Sequence, residues 1–238
     1  MGDPAGVLVS VRGEARRIVP PDQADAAVTV ASSRESKAEA VRAAAAGLDG
    51  LTADLAAHGG VALDAGTGRR PLTWSAHSVR THLEHAHDER TGRYEPTGRV
   101  AAEVAVVIAV RAFELLDALG AVLAAHEAVT AHEVSWHVDW DNPAWPEVRA
   151  AAVHAAVAKG RDYAAALGGS LRGVEHIADA GLLGGDAAPP PFARGLTALS
   201  AAGVGGESDA PSLDPVPQEL TAVIEARFTA DGVFLAGH

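Results

Sequence analysis

Cysteine is absent from this 238-residue chain, which excludes disulfide bonds, thiolate metal ligands and cysteine nucleophiles. Aromatic residues make up only 4% of the chain, so its core has few bulky anchors. Alanine supplies much of the 48% apolar share. Because alanine buries little area per residue, we expect the core to depend on close contact between helices and sheet.

Positive charge is scarce and scattered. The chain has 19 lysines and arginines against 31 aspartates and glutamates, which gives a formal net charge of −12. The densest basic runs are only Arg16-Arg17 and Arg69-Arg70. Since nucleic-acid binders normally present a clustered basic face, neither nucleic acid nor an anionic membrane surface is an expected partner.

Long hydrophobic runs are also missing. The longest one, Val104 to Val110, is far too short to span a bilayer. The first residues, Met1 to Pro4, show no basic segment followed by an apolar stretch, which a signal peptide would need. We therefore expect no membrane insertion and a cytoplasmic location.

The first part of the chain predicts two strands and a long helix. Residues 7–17 and 24–31 alternate as strands do, and Pro20-Pro21-Asp22 separates them. Ser36 and Glu39 have the spacing of a capping box, which predicts the start of a helix. The apolar stripe of that helix is predicted at three- and four-residue steps over Ala38, Val41, Ala45, Leu48, Leu51 and Leu55.

The rest of the chain alternates strand and helix patterns. Asp141-Asn142-Pro143 predicts an N-cap followed by proline at the first position of a second long helix, which ends near Leu167. Pro, Gly, Ala, Ser and Asp dominate residues 181–217, which predicts a mobile loop. Further strands are predicted over 72–85, 99–110, 134–140, 171–177 and 220–228. A shorter helix is predicted over 113–123.

These patterns predict an α+β fold in a single domain over residues 1–238. The chain is expected to form two strand–helix–strand halves, a ββαβ-like repeat, with a mixed or antiparallel sheet packed on long alanine-rich helices. The final strand is expected to return to a sheet already built. An edge strand left unpaired beside the excursion at 181–217 would be able to pair with a neighbouring subunit.

Three stretches carry a resemblance to a known family. The first is Val9 to Glu14 followed by Pro21-Asp22, and the second is the alanine-rich helix that ends on Leu167-Gly168 before Gly173-Val174. The third is the closing strand, Thr221 to Phe228. In this order of elements, the chain resembles the SIMPL-domain family.

The resemblance implies an α+β fold with a twofold repeat, and it implies self-assembly. It also implies a link to envelope or oxidative-stress physiology, and many members of the family are exported, whereas this chain shows no export signal. The family has no established catalytic residues, so none is carried over to this chain.

Histidines concentrate at the end of one predicted strand. His82, His85 and His87 are candidate ligands for a transition metal such as Zn, Ni, Cu or Fe. Because residues two apart on a strand share a face, His85 and His87 are placed together, and only a bend after His82 would add the third ring. A solvated, polar strand end is the competing interpretation.

Tryptophans cluster near the start of the second long helix. Trp136 and Trp140 fall on one face of a predicted strand, and Trp145 opens the helix that follows. These three side chains are candidates for an aromatic-walled ligand pocket. Packing at a strand–helix junction is the favoured interpretation, because these residues are the bulkiest fillers of an alanine-rich core.

No enzyme class is indicated by a motif. The chain has no phosphate-binding loop, no dinucleotide fingerprint, no nucleophile elbow and no zincin helix. The leading hypothesis is a non-enzymatic protein without a resident cofactor that forms homo-oligomers or binds a protein partner. The alternative is a metal-binding protein or metal-dependent enzyme that uses His82, His85 and His87.

Overall fold

The computed structural model describes residues 6–64, 68–88, 90, 92–182 and 214–231. These residues form nine strands and three α-helices in an α+β fold, which confirms the predicted fold class. They separate into two compact units. The first draws on Met1–Pro20, Asp139–Ala202 and Pro217–His238, and the second on Pro21–Val138 and Gly203–Val216. The single domain over 1–238 stays a prediction.

The first unit has three antiparallel strands and one helix. Strand β1 (Val7–Val19) pairs with β9 (Gln218–Asp231), and β9 pairs with β8 (Ser170–Asp179). The closing strand therefore lies in the centre of its sheet, as expected of a strand that returns to a sheet already built. Helix α3 (Ala144–Ala166) packs on this sheet.

Small residues bring α3 close to the sheet. Its buried positions recur every four residues and are Ala144, Val148, Ala152, Ala156, Gly160 and Ala164. Phe228 of β9 is buried below them, and its ring would lie 3.0 Å from a methyl group built on Gly160. The predicted capping segment Asp141-Asn142-Pro143 opens the helix one residue later than predicted, since Pro143 holds the N-cap position and Asn142 Oδ1 accepts a hydrogen bond from the Ala144 amide at 2.9 Å.

The second unit is a larger sheet with two helices. Its strands are β2 (Gln23–Arg34), β3 (Val61–Ala62), β4 (Leu72–Ala76), β5 (Arg80–Asp88), β6 (Arg93–Val110) and β7 (Val129–His137). The spatial order is β3-β4-β6-β2-β7, with β5 paired to β6. The predicted strand over 72–85 is two strands, because β4 pairs with the end of β6 and β5 with its beginning.

Helix α1 (Lys37–Ala57) packs on β2 and β6, and α2 (Leu116–Ala125) follows a 3-10 turn at Phe113–Leu115. The predicted cap is confirmed, since Ser36 Oγ accepts a hydrogen bond from the Glu39 amide at 3.3 Å. The second half of the predicted stripe, Leu51 and Leu55, is buried. In the first half the stripe is displaced, and Ala40 and Ala44 are the buried residues.

The core of the second unit is formed by branched side chains of β2 and β6 under these helices, among them Val28, Val30, Val104, Val106 and Ile108. Within the described residues, no helix combines the length and apolarity needed to cross a membrane. The predicted loop over 181–217 lies outside the described residues except for its ends at 181–182 and 214–217.

Candidate functional site

Two of the candidate histidines, His85 and His87, lie on an extension of the second unit's sheet, and His82 lies just before it, opposite Ala101. Strand β2 pairs with β6 only from Val100 onward, whereas β5 follows β6 back to Arg93. Residues 85–87 and 92–99 are all exposed. The distal parts of β5 and β6 therefore form a two-stranded arm beyond the sheet, over residues 83–99.

A hydrogen-bond network fixes the root of the arm. The Arg99 guanidinium donates to Ser33 twice, from Nε to Oγ at 2.8 Å and from Nη2 to the carbonyl oxygen at 2.6 Å. The Ser33 hydroxyl donates in turn to the Glu84 carboxylate, which also lies 3.5 Å from Arg99 Nε. Thr97 Oγ1 donates to the Glu84 carbonyl oxygen at 3.2 Å. The network ties β2, β5 and β6 together where the arm begins.

The register of the arm breaks between Leu83 and His85. Gly98 on the facing strand has φ +78°, a conformation that glycine adopts without steric cost. The strand irregularity therefore lies at Glu84, between His82 and His85, which is the interval where the metal hypothesis requires a bend.

Each candidate histidine has a separate neighbour. His82 Nε2 lies 4.0 Å from Glu103 Oε1, and His85 Nδ1 lies 3.0 Å from the Leu83 carbonyl oxygen. The His87 ring contacts the Tyr94 ring edge-on, with 5.2 Å between centroids. Across the parts of the chain that the structure describes, no three histidine, aspartate or glutamate side chains form a group able to hold a metal ion.

Apolar side chains on the arm face solvent. Leu83 is 59% exposed and Tyr94 is 73% exposed. A two-stranded hairpin without a packed face is only marginally stable in water. Its unpaired backbone groups and exposed apolar side chains suit a surface that another chain covers.

An open cleft of about 630 Å³ lies beside the root of the arm. It is lined by Arg34, Glu35, Glu39, Arg42, Ala43 and Arg99. Its lining combines guanidinium and carboxylate groups, and none of the predicted site residues belongs to it. The arginines Arg34 and Arg99 both donate to the Ser33 carbonyl oxygen, so this cleft is held by the same network as the arm.

The three tryptophans occupy different environments. Trp136 belongs to the second unit, where its ring meets that of Phe113 edge-on at 5.6 Å. Trp140 and Trp145 belong to the first unit. Trp140 is 85% exposed, whereas Trp145 donates from Nε1 to the Asp139 carbonyl oxygen at 2.9 Å and has the Arg149 guanidinium over its ring.

Strand β1 forms one edge of the first unit's sheet. Within the described part of the chain, its hydrogen-bonded strand neighbour is β9 alone. All 13 residues of β1 pair with β9 in one uninterrupted register. The side chains of Leu8 and Ile18, on the face away from α3, are 49% and 71% exposed. The sequence showed the alternation of this strand, but only the strand order reveals that no second described strand pairs with it.

Comparison with known proteins gives one result that covers most of the chain. The family model described as SIMPL, a protein of unknown function (DUF541), matches residues 9–228. No curated protein matches the chain. The matched range includes residues 9–19 of β1, the arm and residues 218–228 of β9.

Proposed function

The chain belongs to the SIMPL family, whose model spans residues 9–228, and we propose that it acts as a non-enzymatic protein that self-assembles or binds a protein partner. Its proposed action is to join chains through strand pairing at open sheet edges. We propose that this assembly serves envelope or stress physiology, as the family resemblance implies.

The observation that carries the proposal is the open edge in each unit. Among the described strands, the first unit ends on β1, a 13-residue strand that pairs with β9 alone. The second unit extends the arm, in which the described residues 83–88 of β5 and 93–99 of β6 pair with each other and with no other described strand. Natural proteins usually cover or blunt such edges, because unpaired backbone groups recruit further strands. Added strands supply main-chain hydrogen bonds to a partner.

Exposed apolar side chains accompany both edges. Leu8 and Ile18 lie on β1, and Leu83 and Tyr94 lie on the arm. Isolated exposed apolar residues are ordinary on a protein surface. Their position beside unpaired strand edges is what supports a contact surface, because one partner strand would satisfy the backbone and cover these side chains together.

A metal-binding role through His82, His85 and His87 is the alternative. The three rings would have to leave their present contacts with Glu103, the Leu83 carbonyl oxygen and Tyr94 to share one ion. The strand irregularity at Glu84 supplies a bend for this, but the described side chains form no three-ligand group. We therefore rank the alternative second.

Size-exclusion chromatography with light scattering on the untagged full chain tests the proposal. We expect a mass above that of one chain, rising with protein concentration across the micromolar range. A strict monomer throughout that range would remove self-assembly from the proposed function. A Leu83→Glu, Tyr94→Glu variant tests the arm separately: a lower mass than the native chain would show that the arm takes part, and an unchanged mass would show that it does not.

A further inference from the structure

The two edges of the first unit's sheet differ in their suitability for a new strand. The β8 edge is interrupted, because its register with β9 shifts twice within ten residues. Bulges of this kind twist an edge away from a further strand. The β1 edge has no shift from Val7 to Val19 and contains no proline. Strand addition to this sheet is therefore favoured at β1.

The order of side chains along β1 is complementary to itself when the strand is reversed. With Gly13 opposite Gly13, Arg12 faces Glu14 and Leu8 faces Ile18. The two most exposed apolar residues of the strand thus cover each other, and the opposite charges are paired. Directly opposed residues of antiparallel strands are the pairs that stabilise a sheet.

Neighbouring registers lose this match. When one strand moves by two residues in one direction, Arg12 comes to lie opposite Arg12. When it moves by two residues in the other direction, Glu14 comes to lie opposite Glu14. Like charges directly opposite each other destabilise a strand pair. Leu8 would at the same time face Arg16 in the first shifted register. The charges of β1 therefore select one register, in which the pair has a twofold axis at Gly13.

Helix α3 shows a second complementary row about the same axis. Arg17 of β1 contacts Glu147 of α3, and the Lys159 ammonium donates to the Arg12 carbonyl oxygen at 2.9 Å. These contacts identify the flank of α3 that points toward β1, with residues at four-residue spacing: Glu147, Ala151, Ala155 and Lys159.

The order of residues in that row is also complementary to itself when reversed. With Ala151 opposite Ala155 of a second copy, Glu147 stands opposite the second copy's Lys159, and both residues also contact β1 of their own chain. The centre of this row lies beside Ala152 and Ala156, which are the residues that Gly13 touches. In the β1 register above, the two α3 helices lie on the same face of the joined sheet, and small residues between them permit a close approach.

We propose that β1 pairs antiparallel with β1 of a second copy of this chain about a twofold axis at Gly13, joining two three-stranded sheets into one of six strands. The proposal rests on the proposed function, which it makes specific by naming the strand, the register and the partner. The Lys159 contact is compatible with it, since a carbonyl oxygen has a second lone pair for an incoming backbone amide.

Engineered cysteines test the register directly, because the native chain has none. In a Leu8→Cys, Ile18→Cys variant, each new thiol meets its counterpart across the axis. We expect mild oxidation to convert most of this variant into a covalent dimer that reduction reverses. The single variants Leu8→Cys and Ile18→Cys are the matched controls, since each thiol then faces an unreactive side chain. Both positions are exposed, so the changes leave the core intact.

The outcomes separate this inference from the proposed function. An oligomeric native chain whose double variant cross-links no more than the single variants would overturn the β1 pairing and leave self-assembly standing. A native chain that is strictly monomeric throughout the micromolar range would overturn both. Cross-linking of the double variant alone, together with an oligomeric native chain, supports both.

Charge reversal gives a second readout that does not depend on thiols. Arg12→Glu and Glu14→Arg each place like charges across the axis, and we expect each to weaken dimerisation by roughly tenfold, or ~1.4 kcal/mol. The double reversal Arg12→Glu, Glu14→Arg restores opposite charges across the axis but breaks the ion pairs of Arg12 with Glu225 and of Glu14 with Arg16 within each chain. It is therefore expected to recover part of the affinity that each single reversal loses. A double variant as weak as the single ones would contradict the register.

Discussion

The backbone of Gly13 in β1 lies against the backbone of Ala152 in α3. A methyl group built on Gly13 would come within 2.1 Å of the Ala152 carbonyl oxygen and 2.7 Å of the Ala156 amide nitrogen. These neighbours are backbone atoms of a helix, so they cannot move aside as the end of a flexible side chain does. The contact sets how closely α3 approaches the sheet.

Gly13→Ala should therefore destabilise the chain, because α3 or β1 must shift to admit the methyl group. Overpacking of this kind typically costs ~1–3 kcal/mol, and urea unfolding followed by circular dichroism would measure it. Gly173→Ala is the matched control in the same sheet, since a methyl group there meets only Thr229 Oγ1 at 3.9 Å. Equal stability of the two variants would contradict the close approach of α3.

The Asp231 carboxylate makes the stability of the β8–β9 pair depend on pH. A hydrogen bond from the Ser170 hydroxyl at 2.8 Å, and the charge of Arg172 after it, lower the pKa of Asp231 below its ordinary value of 3.8. A carboxylate whose pKa is lower in the folded state stabilises the fold above its unfolded pKa, and this contribution is lost as pH falls through the folded pKa.

Asp231→Asn is therefore expected to lower the free energy of unfolding at neutral pH. In strong acid, where Asp231 of the native chain is protonated, we expect the two chains to have the same free energy of unfolding. Urea unfolding at neutral pH and below pH ~3 compares the two chains. Asp162→Asn on α3 controls for a change of net charge alone. A difference between native chain and variant that persists unchanged in acid would show that the carboxylate of Asp231 is not its cause.

The Ser33, Glu84 and Arg99 network is expected to control local opening of the arm. Glu84→Ala removes the acceptor of the Ser33 hydroxyl and one neighbour of the Arg99 guanidinium. We expect amide hydrogens over 85–99 to exchange faster by roughly tenfold, with little change in the rest of the sheet, because the arm has few other contacts. Hydrogen-exchange mass spectrometry measures this.

Glu95→Ala is the matched control within the arm, because it removes an exposed glutamate that does not belong to the network. It is expected to leave exchange over 85–99 nearly unchanged. If both variants accelerate exchange equally, the effect follows from the loss of a charge and the network does not hold the root of the arm.

Added transition metal should leave the melting temperature of the untagged chain unchanged, because the described histidine, aspartate and glutamate side chains form no three-ligand group. Thermal scans with Zn, Ni and Cu check this, since a ligand that binds only the folded state raises the apparent stability. A rise that is lost in a His82→Ala, His85→Ala, His87→Ala variant would reverse the ranking and favour the metal-binding alternative.

The tryptophans are expected to differ in their contribution to stability. Trp136 is half-buried and packs against Phe113, so Trp136→Ala should lower the free energy of unfolding by ~3 kcal/mol. Trp140 is mostly exposed, and Trp140→Ala should stay within ~0.5 kcal/mol. Urea unfolding of both variants tests the difference. A metabolite that changes the fluorescence of the native chain, and no longer does so in Trp140→Ala, would support the ligand-pocket hypothesis.

Much of the fold was predictable from patterns that depend only on neighbours in the chain. Alternation in 7–17 and 24–31 predicted β1 and β2, and Ser36 marked the start of α1, because strand faces and helix caps are local features. The buried face of α1 was harder to predict. Alanine occupies so many positions of α1 that several faces are equally small, and contact with β2 and β6 decided that Ala40 and Ala44 are buried and Ala38 is not.

The candidate site was predictable only in part. The histidines were visible as a cluster, but their spacing along β5 could not show which groups each ring meets, since Glu103 and Tyr94 come from the facing strand. The sequence also did not show which strand forms an edge. Among the described strands β9 is central in its sheet and β1 lies at one edge, because the order of strands depends on contacts between residues about 200 positions apart.

By itself, the sequence determined the kinds of elements, the absence of thiol chemistry and the self-complementary order of side chains along β1, all of which depend on residue type and spacing. Tertiary structure decided which strand edges remain unpaired, which alanines are buried and that the arm extends beyond its sheet. These depend on which distant segments meet, and hydrogen bonds between strands and packing of helices on sheets are made only when the chain folds.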